Sequence, residues 1–562
     1  MKKLFTLLLA VLMLIGTISA CGGNTDGVPS TNDPGAPSSP GGDSSSDNST
    51  PNPSSDGREH FEISIAMWDI GNSFPGDGSP DAALDYLEER FNVTLVPVNV
   101  SWADDITSIV TNWAVAGTLP DVTGCLSMPG TAMYRQWIDD GVIRSIPQSI
   151  YSKYSTVNKL MNDPSVEIHQ YEDEAWFLPR ATYANPDYYV MNKGIINRKD
   201  WREKLGFDVP KTTQDFLDLL TAYATLDPKG DGSYTTGLTF DQAFFAYEHV
   251  FSSFGYIDNE WGRNENGEVV NFLLEKTALP LFSFYRELNR RGAIDPDFIG
   301  NISNTESAGA TKFIASQAGM LAIEPAPNHL CFTFTQLLTL QNDEGGDILD
   351  YIEILDPPTD GGLWPPIGFR GDAFWSENYI RADISDEKLD RIVELFDFLA
   401  SEEGMNFVWF GFEGQDWQFR VDGSVELLTP IDADTKTNMP AGALYPVLNG
   451  GINRWASWYG DIQYFNPAYP AHVMKYCADI RDQRIRDWTP RSFDYKINTM
   501  TVFERDVFDV AGEGLNGWAS FIFDTSNTPD EDLFDRIYAN WLASGYQAAK
   551  NAMTKMANEL GF

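Results

Sequence analysis

The chain has 562 residues, with 39 Lys and Arg against 81 Asp and Glu, a formal charge of −42. Hydrophobic residues make up 43% and aromatic residues 13%, enough to fill more than one core, so a disordered chain is excluded and two or more domains are expected. Such acidity argues against binding nucleic acid, whose phosphates need clustered Lys and Arg, and against adhesion to anionic lipid through protein charge.

Lys2 and Lys3 precede an apolar run from Leu4 to Ile18, of signal-peptide length and short for a transmembrane helix. The run closes on Ile18-Ser19-Ala20-Cys21, which resembles a bacterial lipobox. That resemblance implies cleavage of residues 1–20 and acylation of the Cys21 thiol; an ordinary secretory signal that happens to hold a Cys is the alternative. Residues 21–58 then read as the lipidated Cys and a disordered tether of Gly, Ser, Pro, Asn, Thr and Asp, with Val28 the only sizeable apolar side chain. A coil of this length reaches roughly 30–40 Å. Its acyl chains supply the membrane affinity that the acidic body lacks. Cys125, Cys331 and Cys477 remain, far apart and without a CxxC, so no disulfide framework is expected. The five His residues show no zinc-ligand spacing.

Beyond the tether, strands and helices alternate. Phe61–Trp68 has a strand pattern, and Ser79-Pro80-Asp81 opens a helix carrying Leu84, Leu87 and Phe91 on one face. Val93–Val98 is a second strand, Ile106–Val115 a helix, and Leu119–Val122 a short strand entry. Further on, Thr212–Tyr223 reads as a capped helix, and Ser385–Ala400 as another. This rhythm predicts an α/β fold with a mostly parallel sheet covered by helices.

Several motifs occur in order. They are Trp68-Asp69-Ile70-Gly71, Gly117-Thr118-Leu119-Pro120-Asp121-Val122, Trp176-Phe177-Leu178-Pro179-Arg180 and Ile196-Asn197-Arg198-Lys199-Asp200-Trp201. Val209-Pro210-Lys211-Thr212-Thr213, Ser401-Glu402-Glu403-Gly404 and Gly411-Phe412-Glu413-Gly414 follow. Together, behind a lipobox and tether, they resemble the extracellular solute-binding proteins (family 1-like) of bacterial ABC importers, of the sugar- and oligosaccharide-binding lipoprotein type. The resemblance implies a two-lobed periplasmic-binding-protein-like fold (type 2), with ligand in a cleft between hinged lobes. On that basis lobe 1 would comprise 59–190 plus 365–412, and lobe 2 would comprise 191–364 plus 413–562. Crossings are expected near Tyr188–Asn192, Trp364–Ala373 and Gly411–Gly414.

A sugar needs rings stacked on its C–H faces and polar side chains on its hydroxyls. Trp68 and Asp69 end the first strand, where open α/β sheets bind ligands. Trp176 and Arg180 precede the first crossing, and Arg370 and Trp375 flank the second. Glu413 and Trp417 lie in a glycine-bounded stretch, and Trp455 in a Gly/Asn-rich region starting at Asn449. These are the ligand candidates; strand-end packing, structural ion pairs and core burial are their bland alternatives. Asp227 to Gly237 has the spacing of an EF-hand-like calcium loop, with Asp227, Asp231 and Gly232 fitting. Lys229 stands at the third position, where a cation is wrong, so a structural turn is favoured over calcium and no other cofactor is expected.

The expected role is a lipid-anchored binding protein on the extracellular face of a Gram-positive-type membrane. It would be a monomer, passing a carbohydrate to separate ABC permease subunits without catalysis. A lipid-anchored glycoside hydrolase, needing two carboxylates about 5–10 Å apart, and a peptide or signal receptor on the same fold remain the alternatives. Arg180 and Arg370 leave an acidic sugar open.

Overall fold

Alternation of buried and exposed side chains opens the first strand at Phe61, where the sequence pattern puts it. In this computed structural model the described residues are 57–561, apart from 76–77, 102–104, 125, 127, 130–131, 184, 192–193, 241–260, 298–307, 328–329, 332–345, 361–366, 371–372, 422, 430–439, 450, 458–459, 493–496 and 498–507. The expectations for Cys21 and for the tether up to residue 56 lie outside the described residues. Arg58, assigned above to the tether, belongs to the folded body: its guanidinium pairs with Glu394 at 3.0 Å and donates to the Arg90 carbonyl at 2.9 Å.

Strands follow in chain order as β1 (Phe61–Trp68), β2 (Val93–Val100), β3 (Val122–Gly124), β4 (Leu178–Ala181), β5 (Ile195–Arg198), β6 (Thr236–Phe240), β7 (Trp261–Arg263), β8 (Val269–Asn271), β9 (Ala318–Ala322), β10 (Ile352–Leu355), β11 (Ile367–Arg370), β12 (Phe374–Ile380), β13 (Trp417–Phe419), β14 (Val425–Leu427) and β15 (Thr489–Ser492). The predicted helices form with small shifts at their ends. The first spans Ala82–Phe91 and is capped by Asp81, which accepts the Ala83 and Leu84 amides at 2.9 and 3.1 Å; Ser79 is not its cap. Thr212 and Asp215 close a reciprocal capping box on helix Thr213–Thr225, and Ser385 caps Asp386–Ala400.

Two sheets carry the architecture. The first has the order β2-β1-β3-β12-β4 and the second β10-β5-β9-β6. In the first, β1 runs parallel to β2 and β3, and β12 runs antiparallel to both β3 and β4. In the second, β9 is parallel to β6, and β5 is antiparallel to β9 and β10. Each sheet therefore has one reversed strand, and each reversed strand is the one the chain enters on arriving from the other sheet. The cause is topological. Parallel strands all end at the same edge, so a chain leaving from that edge re-enters there and must run backwards. The C-terminal edges of both sheets are thus the edges between which the chain crosses.

The cores follow the sheets. Ile63, Ile65, Val122, Leu178 and Ile380 pack with Leu389, Ile392 and Phe396 of helix Asp386–Ala400. Around the second sheet, Tyr223, Phe240 and Met320 join one cluster, while Ile196 and Leu321 join another with Val473 and Cys477. The same clusters correct one boundary. Trp417, Val425, Val447, Ile452, Trp455 and Ile462 all belong to the first core, so residues 413–462 do not join the second lobe. No crossing occurs at Gly411–Gly414. The change of core falls between Ile462 and Val473, through Asn466-Pro467-Ala468-Tyr469-Pro470. The Gly411–Gly414 glycines serve a local purpose instead: Gly411 has φ +86°, and a Cβ there would lie 2.5 Å from Asp416 Oδ2.

Candidate functional site

Three segments meet at the crossing edges. The first runs from β4 to β5. The second leads from β10 to β12 through β11, which pairs in parallel with β15. The third leaves the first core after Ile462. Helix Ala471–Asp487 ties them together with two arginines. The Arg481 guanidinium lies 4.0 Å from the Tyr188 ring centre and 4.3 Å from that of Tyr464, in the first and third segments. One turn on, buried Arg484 bonds Asp356 Oδ1 at 3.0 Å and the Leu355 carbonyl at 3.1 Å, at the start of the second. From the second sheet, Glu324 just past β9 accepts the Tyr183 hydroxyl at 3.3 Å. Burial, then the Glu324 carboxylate, pushes the Tyr183 phenol well above its ordinary pKa, so it stays a neutral donor. Gly460 is required here, because a Cβ would lie 1.9 Å from the Tyr183 ring.

At this edge the first lobe holds a cavity of about 470 Å³, within the size range of small-molecule sites. Its floor is the end of β4 at Ala181, flanked by Ala373 before β12 and by Ser457. Lys159 and Asp163 come from helix Ser155–Met161 and the residues just after it. Glu402 and Asn406 come from helix Glu402–Phe410, whose start is fixed by Ser401 accepting the Gly404 amide at 3.1 Å. Tyr183, Phe419 and Phe465 supply aromatic surface, and Asp461 a further carboxylate. Asn406 is only 7% exposed, and its carboxamide oxygen is buried without a hydrogen-bond partner.

The predicted residues fare differently. Trp68 is half-buried at the end of β1, against the first core. Asp69 follows with a left-handed φ of 53°, and its carboxylate makes no cap to the turn Ile70–Asn72. Both remain at the crossing edge. Trp176 is half-buried on the first core, its indole donating to the Tyr171 carbonyl at 3.0 Å. Arg180 is 1% exposed within the sheet, bonded to Ser376 Oγ at 3.2 Å, so it presents no guanidinium to a ligand. Trp417, 2% exposed, donates to the Gly411 carbonyl at 3.0 Å and packs on Phe410. Trp455, 0% exposed, stands edge-on to Phe396. Trp417 and Trp455 are core, not ligand contacts. Glu413 is exposed on the Trp417 hairpin. The side chains of Arg370 and Trp375 lie outside the described residues.

Among the predicted residues with described side chains, none lines the cavity. Sequence signals for it existed in part: Glu402 belongs to the Ser-Glu-Glu-Gly motif, and Asp163 precedes Pro164 as a helix cap. Neither announces a cavity, because the wall is assembled from segments more than two hundred residues apart.

The calcium loop fails a test of its donor set. Both Asp227 carboxylate oxygens accept backbone amides, from Gly230 at 2.8 Å and Gly232 at 3.0 Å. Lys229 sits at the third position with its ammonium 3.3 Å from Asp231. The Lys204 ammonium bonds the Pro228 carbonyl at 2.6 Å and the Lys229 carbonyl at 3.3 Å. Two ammonium groups occupy the oxygen-rich side of the turn, where a dication would meet repulsion. Among the described residues no cluster of three or more His, Cys, Asp or Glu could hold a metal, and no helix is long and apolar enough to cross a membrane.

Two sheets with reversed entry strands, joined by three crossings at their C-terminal edges, define the fold of the extracellular solute-binding proteins of ABC importers. The comparisons agree. The chain superposes on FusA of Streptococcus pneumoniae in complex with kestose with a TM-score of 0.60 at 16% identity, over 90% of this chain and 99% of that one. It superposes on the alginate-binding protein AlgQ2 without calcium ion with a TM-score of 0.60 at 15% identity, over 90% and 98%. In sequence it is 23% identical over 254 residues to the fructooligosaccharide ABC transporter substrate-binding protein FusA, covering 43% of this chain and 38% of the relative. It is 21% identical over 252 residues to lipoprotein LipO of Bacillus subtilis, covering 43% and 47%. The chain thus spans less than half the length of the curated relatives it matches. No protein-family model matches it.

Proposed function

We propose that this chain is the lipid-anchored, extracellular binding component of an ABC importer. It captures a carbohydrate, most simply an oligosaccharide, between its lobes and delivers it unchanged to a separate permease. The observation that carries the reading is the crossing-edge cavity, with carboxylates and aromatic surface beside the three segments that join the lobes. Sugar hydroxyls satisfy such acceptors, and rings cover C–H faces. The relatives named for fructooligosaccharide and kestose support the same ligand class. Lipidation at Cys21 and the tether would hold the body near its permease, and a monomer suffices for this task.

The test is a thermal-shift and calorimetric screen of the mature protein against fructo-, gluco-, manno- and galacto-oligosaccharides, followed by chromatography of the recovered sugar. Saturation with a cognate sugar raises Tm, since ligand bound only to the native state stabilises it by RT ln(1 + [L]/Kd), and the sugar returns intact. Cleaved product would instead establish a hydrolase, and a shift with peptides alone a peptide receptor.

A further inference from the structure

Tyr183 belongs to two places at once. It lines the crossing-edge cavity of the first lobe, and its hydroxyl donates to Glu324 Oε1 at 3.3 Å. Glu324 comes from the other lobe: it stands just past β9 of the second sheet, next to Ile323, which packs in a core of that sheet. A second donor reaches the same oxygen, the Gln463 carboxamide at 3.5 Å, from the third crossing segment. Gln463 shares the turn Gly460–Tyr464 with Asp461, another residue of the cavity wall. One carboxylate of the second lobe therefore ties together two elements that wall the cavity of the first.

The tie can transmit because Tyr183 has little freedom to swing. Gly460 stands against its ring, where a Cβ would lie 1.9 Å away, and Tyr189 of the first crossing meets it edge-on at 6.4 Å. A ring held this way keeps its hydroxyl in one place. Rotation of the second lobe about the crossings carries Glu324 away from that place and breaks the bond. A ligand packed against Tyr183 keeps the donor where Glu324 meets it, and a hydrogen bond to a carboxylate is of the stronger kind. We propose that Glu324 is an interlobe latch: it positions Tyr183 and couples occupancy of the cavity to the lobe arrangement in which the cavity wall is complete. This deepens, and rests on, the carbohydrate-capture reading.

In the experiment, the mature protein and its variants are titrated calorimetrically with kestose, maltotriose, mannotriose and galactotriose, and compared on the sugar that binds the parent most tightly. Tyr183→Phe keeps the ring on the cavity wall and deletes only the hydroxyl. It should weaken binding about three- to thirtyfold, because apparent affinity falls with the fraction of molecules in the competent arrangement. Glu324→Ala should act likewise, and the double variant should lose no more than about twofold beyond the larger single loss, since both changes break one bond. Glu324→Gln, which keeps an acceptor oxygen, should recover most of the affinity. In small-angle X-ray scattering, Tyr183→Phe should shift the apo curve and saturating sugar should return it to the parent's, which a merely structural loss would not do. Where Glu324→Ala does not fold, Tyr183→Phe and Glu324→Gln decide. Unchanged or raised affinity in Tyr183→Phe, or losses that add in the double variant, would overturn the latch while leaving carbohydrate capture intact. Failure of every sugar to bind the parent would overturn both.

Discussion

Trp455 shows why single residues were the hardest to read. It sits in a Gly- and Asn-rich stretch, the setting of an exposed loop aromatic, yet it is sealed against Phe396, which comes from a helix some sixty residues earlier. Local sequence reports flexibility and polarity, whereas burial depends on what packs from a distance. The same holds for Arg180, whose partner Ser376 is on a strand the chain makes only after visiting the other lobe. Trp68 and Asp69 keep the strand-end position their pattern predicts, because a strand end fixes position by topology alone, yet neither lines the cavity. Burial of Trp455 has a measurable consequence. Trp455→Ala should lower stability in urea unfolding by about 3–5 kcal/mol, the range for emptying a large core site. Trp455→Phe should cost less than about 1.5 kcal/mol, since it also removes an indole N–H that has no partner. Sugar affinity of the folded variants should stay within about twofold of the parent, well inside the 1.4 kcal/mol of a tenfold change. A selective loss of affinity without loss of stability would return Trp455 to the ligand site.

Elements were read more surely than residues, because period and caps are local. β1, the helix Ile106–Ala116 and the capping box at Thr212 appear at or within a residue or two of the positions their patterns predict. Pairing order is not local, and nothing in β5 or β12 marks them as the strands that run backwards. The turn at Asp227 lies between these cases: its spacing is that of a calcium loop, but its chemistry is that of a lysine-closed turn. From that chemistry, adding millimolar calcium or excess chelator should leave Tm unchanged to within about 1 °C, because only a bound ligand stabilises. Lys204→Met, which withdraws an ammonium from two carbonyls, should instead cost about 1 kcal/mol. A calcium-dependent rise in Tm would show that the lysines yield to the metal.

At the scale of the whole molecule, composition implies more than one domain and the family resemblance implies two lobes, but the third crossing does not fall at the glycines. Paired glycines at Gly411 and Gly414 imitate a hinge, while the true crossing runs through two prolines, Pro467 and Pro470. Prolines stiffen a connection, so freedom between the lobes must be set elsewhere. Arg481 is placed to set it. Its guanidinium packs over both Tyr188 and Tyr464, whose rings meet edge to face 5.5 Å apart and belong to different crossing segments. Two cation–π contacts of about 0.5–2 kcal/mol each would bias how the segments twist against one another. In the proposed function, lobe closure would be a population shift between open and closed forms, and a bias of that size would change the apo distribution several-fold. Arg481→Leu should therefore alter the apo radius of gyration and the long-distance tail of the pair-distance function in small-angle X-ray scattering. Arg481→Lys, which keeps the charge, should lie between Leu and the parent. Saturating sugar should bring all three toward one compact curve, because ligand bound to the closed form outweighs a bias of this size. If the apo curves of Arg481→Leu and the parent superimpose, the crossings are held by their other ties, such as the direct Tyr188–Tyr464 ring contact and the Arg484–Asp356 pair, and Arg481 does not set the lobe angle.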